Sequence, residues 1–306
     1  MFKSNRREFI HTALAGAGLL LSNPTRVFSA GSEPPNRLRS ASDRVPLGKT
    51  GIRASFLAQG TGYNGSSRSS AHTRLGKASL DALLRHSMDQ GVNFMDMADL
   101  YGSHPFVKDV IKGLPRDKYV LLTKIWPRSE NWNKASGGAR EEMDRFRQEL
   151  GVDMIDVCLI HCMTNSRWPQ EYERIRDDLS ELKQKGVVRA LGVSCHDFGA
   201  LKAAAEHPWV DLIFARINHK GGGEYSMDGT VEEVSQTLKS ARANGKAIVG
   251  MKIFGAGKLV KPEEKDASLQ YVIRENLVDA MTIGMLSQEQ VDDSVTRINR
   301  TLKNLS

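Results

Sequence analysis

Residues 79–97 read Ser79-Leu80-Asp81-Ala82-Leu83-Leu84-Arg85-His86-Ser87-Met88-Asp89-Gln90-Gly91-Val92-Asn93-Phe94-Met95-Asp96-Met97. Leu80, Leu83, Leu84 and Met88 fall three or four residues apart, the spacing of one helix face. Gly91 can take the left-handed conformation that ends a helix. The short apolar run Asn93–Met97 follows at once and reads as a strand. Helix, glycine, strand is therefore one unit, and it recurs along the chain.

Strand-like runs lie at Ser55–Gln59, Asn93–Met97, Val120–Ile125, Met154–His161, Ala190–Ser194, Leu212–Ile217, Ala247–Met251 and Ala280–Ile283. Helical spacing falls at Ser79–Gln90, Pro105–Ile111, Gly138–Leu150, Glu173–Lys185, Ala200–Glu206, Val231–Ala243, Ala267–Glu275 and Gln288–Leu302. Strands that alternate with helices pair in parallel through crossover helices. Eight repeats over about 250 residues is the size of a closed barrel; an open doubly wound sheet would usually stop near six strands and add a second domain. Ahead of the repeats, Val45–Leu47 and Ile52–Ala54 flank the turn Gly48-Lys49-Thr50-Gly51 and read as a hairpin. The expected fold is α/β, a (β/α)8 TIM barrel preceded by a short N-terminal β-hairpin.

The chain has 306 residues, 40% hydrophobic and 26% charged, an ordinary globular composition. Part of the net charge of +7 comes from Lys3, Arg6, Arg7 and Arg26. Elsewhere basic and acidic residues are mixed, with no basic stripe interleaved with aromatics, so a nucleic-acid partner is not expected. Cys158, Cys162 and Cys195 are too few, and odd in number, for a disulfide framework. Residues 1–29 read as an export signal: Arg6-Arg7, then Phe9, then the apolar run Ala13–Leu21, too short to span a bilayer. This pattern resembles a twin-arginine signal. It implies the twin-arginine export machinery as a partner, a periplasmic or otherwise exported location, and no stable membrane insertion after cleavage. Residues 30–43 have a linker's composition, which leaves 44–306 for the barrel.

In a barrel of this type the chemistry gathers at the C-terminal strand ends. The second strand leads into Asp96 and Tyr101, the third ends at Lys124 and the fourth at His161. A free tyrosine has a pKa of about 10, high for a proton donor that must recover its proton near neutrality. A nearby ammonium favours the phenolate, a carboxylate holds that ammonium, and an imidazole can orient a carbonyl oxygen. Such a set can protonate an alkoxide as hydride arrives. The protein has no redox group of its own, so a cofactor must bring the hydride.

With these residues in place, the chain resembles the aldo-keto reductase family over roughly residues 44–300. The carrying segments are Pro46–Gly51, Gly91–Gly102, Leu122-Thr123-Lys124, Leu159-Ile160-His161 and Gly192-Val193-Ser194. The resemblance implies that Tyr101, Asp96, Lys124 and His161 form the catalytic set. It implies NADP as cofactor, with NAD left open. Ser194 would meet the nicotinamide carboxamide, Met251 and Lys252 the nicotinamide face and pyrophosphate, and Ser287 the adenosine phosphate. The substrate implied is a small carbonyl compound or alcohol. The chain departs from the family pattern on the cofactor side: Phe214 stands where a glutamine is usual, Met251 replaces a stacking aromatic, and Leu286 and Gln290 stand at basic positions. A second reading is therefore a cofactor-binding partner or sensor barrel with little turnover.

Two rival signals are weaker. The string Gly60-Thr61-Gly62-Tyr63-Asn64-Gly65 matches a dinucleotide fingerprint, but no helix opens at its third glycine; a loop over the barrel mouth is expected instead. Cys158, His161, Cys162, Cys195 and His196 could suggest a metal site, but none is expected, because His161 and Cys158 alternate to opposite faces of one strand. Trp126, Trp132 and Trp168 follow the third and fourth strands and could wall a pocket or cap the barrel.

Overall fold

The computed structural model describes residues 38–128 and 138–305. The export signal at 1–29 and Trp132 lie outside the described residues. A hairpin of β1 (Arg44–Pro46) and β2 (Arg53–Ser55) pairs antiparallel and precedes the barrel. The barrel strands are β3 (Leu57–Gly60), β4 (Phe94–Asp96), β5 (Val120–Ile125), β6 (Ile155–Met163), β7 (Val188–Cys195), β8 (Leu212–Arg216), β9 (Ala247–Met251) and β10 (Ala280–Ile283). All eight pair in parallel, and β10 returns to β3 to close the cylinder. The helices are α1 (Lys77–Asp89), α2 (His104–Ile111), α3 (Ala139–Leu150), α4 (Trp168–Glu171), α5 (Glu173–Gln184), α6 (Phe198–Glu206), α7 (Val231–Ala243), α8 (Pro262–Arg274) and α9 (Gln288–Asn304).

The packed unit begins at Leu38, so residues 38–43 of the expected linker stretch are held. Ala41 is fully buried, and its N–H donates to Asn299 Oδ1 at 2.8 Å. The Ala41 and Asp43 carbonyls accept from Leu57 and Phe56. These residues cover the bottom of the barrel ahead of the hairpin. The helix at 267–275 starts earlier than the periodicity suggests, at Pro262. Its first turns, Glu263 to Asp266, carry no apolar spacing to read, and a proline at the first position starts it without losing a hydrogen bond.

Side chains alternate across each strand and so form two cores. Ala58, Phe94, Val120, Leu122, Val157, Leu159, Leu212, Ala247, Val249 and Ala280 fill the cylinder. Leu57, Met95, Leu121, Cys158, Ile160 and Ile213 point outward to the helices. The alternation decides what reaches the upper mouth. Counting upward by twos along the inward sets reaches Gly60, Asp96, Lys124, His161, Ser194, Phe214, Met251 and Thr282. The strands are staggered: Asp96 pairs with Leu122 and Lys124 with Leu159. Lys124 and His161 thus each stand two residues further up their strands than the register of the strand before, as tilted strands require.

Candidate active site

The Lys124 ammonium is the centre of the site. It donates to Asp96 Oδ1 and, at 2.8 Å, to the Met97 carbonyl. The Lys124 side chain is 1% exposed and that of Asp96 is 7% exposed, so the pair is buried. Thr282 Oγ1 donates to the other carboxylate oxygen, Oδ2, at 2.9 Å. Lys124 Nζ also lies 4.9 Å from the Tyr101 ring centroid and 4.7 Å from that of Phe214. Tyr101 follows β4 in a short 3-10 turn, Asp99–Tyr101, and its Oη lies 3.3 Å from His161 Nε2. The four groups expected to work together are therefore adjacent.

His161 sits at an irregularity of β6. The β6–β7 register shifts between Ile160 and Met163, and Cys162 has φ +66°. Such a bulge turns a side chain away from the ladder. The N–H that this frees on Cys162 donates to Ser194 Oγ at 2.7 Å. Ser194 therefore braces the His161 turn, with its hydroxyl proton still available. The His161 ring meets Trp126 edge-on at 5.5 Å and His196 at 6.5 Å between centroids. Trp126 is thus a wall of the site. Trp168 is fully buried, donates to the Ala200 carbonyl at 3.3 Å and packs at a tilt against the His207 and Trp209 rings; it is a packing residue.

Burial governs the proton affinities here. It pushes the Tyr101 phenol well above its ordinary value, and the Asp96 carboxylate adds to the shift. The sequence pointed the other way, through Lys124. That effect is cancelled because the ammonium is spent on Asp96, and desolvation then decides the sign. Burial also lowers Lys124, against Asp96. It takes His161 well below the usual histidine range, helped first by the Lys124 ammonium and further by His196, Arg128 and Lys252. The site at neutral pH holds a neutral phenol beside a neutral imidazole. His161 Nδ1 is buried with no hydrogen-bond partner among the described residues.

The loop after β3 closes over the phenol. A Cβ at Gly62 would fall 2.3 Å from Tyr101 Cε2 and Cζ, and one at Gly65 would fall 2.5 Å from Cδ1. The glycine string is thus a seat for the Tyr101 ring. Beneath it Arg145 binds Asp99 at 3.0 Å, while Arg68 binds Glu149 at 2.5 Å. His104 spans from Glu149 to Thr123 at 2.8 Å on each side. This charged web fixes the turn that carries Tyr101. Gly62→Ala is expected to displace the ring and lower the single-turnover rate by roughly 100-fold, the cost of an ångström-scale misplacement. An unchanged rate would show that the loop does not hold the ring.

A cleft of about 360 Å³ runs from this centre across the strand ends to α9. Tyr101, Asp96, Phe214, Met251, Lys252 and Thr282 line its inner part, and Lys265, Leu286, Gln290, Asp293 and Ser294 line its outer part. The Lys252 ammonium makes no hydrogen bond or ion pair with a described residue. Burial, and then Arg216, lower its pKa. An unpaired cation in an elongated cleft fits a pyrophosphate. Gly60, Gly62, Gly257 and Gly284 also line the cleft and let a ligand approach the backbone. The fourth residue expected at the cofactor is Ser287. It is the N-cap of α9, its Oγ accepts from Gln290 N at 3.3 Å, and its neighbours rather than Ser287 itself line the cleft. Thr282 was missed, although counting by two from Ala280 along β10 finds it.

The Aldo/keto reductase family model matches residues 59–304, which include every residue of this centre, and the chain belongs to that family. It is an oxidoreductase of the NAD(P)-dependent aldo-keto reductase type. The chain is similar to L-galactose dehydrogenase of Arabidopsis thaliana, 24% identical over 82% of this chain and 86% of that protein. It is similar to pyridoxal 4-dehydrogenase of Microbacterium luteolum, 21% identical over 86% and 94% of the two chains. An aldo-keto reductase structure from Pseudomonas aeruginosa shares the fold with a TM-score of 0.70, at 22% identity over 86% of this chain and 97% of that one.

Proposed function

We propose that the protein interconverts a small aldehyde or ketone and its alcohol, with Tyr101 as the proton donor and acceptor. The observation that carries this reading is the 3.3 Å approach of Tyr101 Oη to His161 Nε2, over the buried Lys124–Asp96 pair. A carbonyl oxygen seated between the phenol and the imidazole meets two neutral donors in a dry site. Such donors stabilise charge as it develops on that oxygen. Lys124 and Asp96 hold the electrostatics of the phenol fixed, and Thr282 anchors Asp96. A nicotinamide cofactor supplies the hydride. Lys252 would hold its pyrophosphate, Met251 and Phe214 would bound its ring, and Ser194 would offer its hydroxyl proton to the carboxamide. The N-terminal Arg6-Arg7 pattern supports export of this body by the twin-arginine route to the periplasm or beyond.

A test is direct. The protein with NADH or NADPH is mixed with a panel of aldehydes and ketones, and nucleotide absorbance is followed. Oxidation of the nucleotide supports the reading. Binding without turnover across the panel contradicts it and favours a sensor barrel.

The raised phenol pKa also fixes a pH dependence. A group with its pKa above the ordinary ~10 stays protonated across neutrality, and the kcat/KM profile reports the free enzyme's groups. Carbonyl reduction, which consumes the protonated form, is expected to be flat from about pH 6 to 9. Alcohol oxidation, which needs the phenolate, is expected to rise ~10-fold per pH unit over that range. A reduction profile that falls near neutrality would contradict the assignment.

A further inference from the structure

We infer that this cleft selects NAD(H) over NADP(H), and that Asp293 makes the choice. The inference rests on the reading that the cleft takes a nicotinamide dinucleotide. With the nicotinamide at Tyr101, where hydride is needed, the adenosine reaches the end formed by α9. There the lining residues are Lys265, Leu286, Gln290, Asp293 and Ser294.

The two nucleotides differ by one group at that end, a 2′-hydroxyl or a 2′-phosphate. A phosphate monoester brings nearly two negative charges at neutral pH and needs free cations or free N–H groups. The cations at this end are already engaged by carboxylates. Lys265 Nζ lies 3.6 Å from Asp293 Oδ2. Arg297 donates from Nε to both Asp293 oxygens at 2.8 and 2.9 Å, and from Nη1 to Asp266 at 2.7 Å. Arg300 is bound to Asp266 at 2.6 Å. At the start of α9 two N–H groups are also taken. Ser287 Oγ accepts from Gln290 N at 3.3 Å, the Leu286 N–H donates to Gln290 Oε1 at 2.8 Å, and Glu289 adds a negative charge in the first turn.

A 2′-phosphate would therefore face the Asp293 carboxylate at close range and would have to pull Lys265 from it. A 2′-hydroxyl has the opposite relation to the same group, because it can donate to a carboxylate oxygen. Acidic side chains read the free ribose hydroxyl in this way in other dinucleotide sites. Asp293 thus attracts one nucleotide and repels the other, which is how a large affinity ratio arises from one position. This departs from the NADP that the family resemblance implied, and it follows from the Asp293 carboxylate and the paired cations around it.

The test is equilibrium binding of NADH and NADPH to the full-length protein without carbonyl substrate, followed by quenching of tryptophan fluorescence. The wild type is expected to bind NADH about tenfold or more tighter than NADPH, the worth of one charge-assisted hydrogen bond. Asp293→Asn is expected to weaken NADH and bring the two affinities within about threefold. Asp293→Glu is expected to keep the preference. NADPH bound as tightly as NADH, or a ratio that Asp293→Asn does not change, overturns the inference and leaves the reductase reading standing. No binding of either nucleotide overturns both.

Discussion

Tyr101→Phe is expected to lower kcat by about 10³-fold or more, near the upper range for loss of a positioned general acid. The affinity for nucleotide and the melting temperature should change little. The substitution removes one hydroxyl whose described polar partner is His161 Nε2. The phenyl ring still fills the seat shaped by Gly62 and Gly65. His161 then remains as one donor to the carbonyl oxygen, but neither it nor water supplies a proton at the phenol's position. Its pKa lies well below the histidine norm, so at neutral pH it carries no extra proton to give. Steady-state kinetics beside a nucleotide titration separates the loss of a proton donor from the loss of a binding surface. A variant that turns over within tenfold of the wild type would remove Tyr101 from the mechanism.

The second large effect is expected at Lys124. Lys124→Met keeps the length and apolar stem but deletes the ammonium, which leaves the Asp96 carboxylate buried with Thr282 as its hydrogen-bond donor. An uncompensated buried charge costs about 3–5 kcal/mol, which for a domain of this size lowers the melting temperature by roughly 10 °C. Turnover should fall together with stability, because the cation that faces the Tyr101 and Phe214 rings is gone. Adding Asp96→Asn removes the stranded charge. The double variant is therefore expected to regain most of the stability and none of the turnover. Thermal melts and kcat on the same four proteins give the coupling between the two positions. Single and double variants that melt together would show that the pair is not held by charge.

Much of this was legible in the chain because β structure alternates by two. Val120–Ile125, Ala247–Met251 and Ala280–Ile283 have the same bounds in sequence and structure, since turn-forming residues or an adjacent polar element end each run. Asp96, Lys124 and His161 could be brought to one mouth by counting strand ends. What stayed hidden depends on contacts between distant segments. The contact of Gly62 and Gly65 with Tyr101 joins two loops that no local pattern links. Thr282 reads as an ordinary strand residue until its hydroxyl is seen on Asp96. The sign of the Tyr101 shift required the depth of burial, which a list of charged neighbours does not contain. Ser287 read as a ligand because serine at a helix start suits an anion; the same position also suits a cap, and its oxygen accepts from Gln290 N. Asp293 lies on an α9 face whose salt bridges look like solvated surface until the cleft is traced to them.

The most direct measurement is single-turnover stopped flow of the protein preloaded with reduced nucleotide and mixed with an aldehyde, run in H2O and in D2O, for the wild type and Tyr101→Phe. If the phenol delivers its proton as hydride moves, the wild-type step slows in D2O, and the variant is slower by about 10³-fold. Equal hydride-transfer rates in the two proteins, with the same response to D2O, would contradict proton donation by Tyr101.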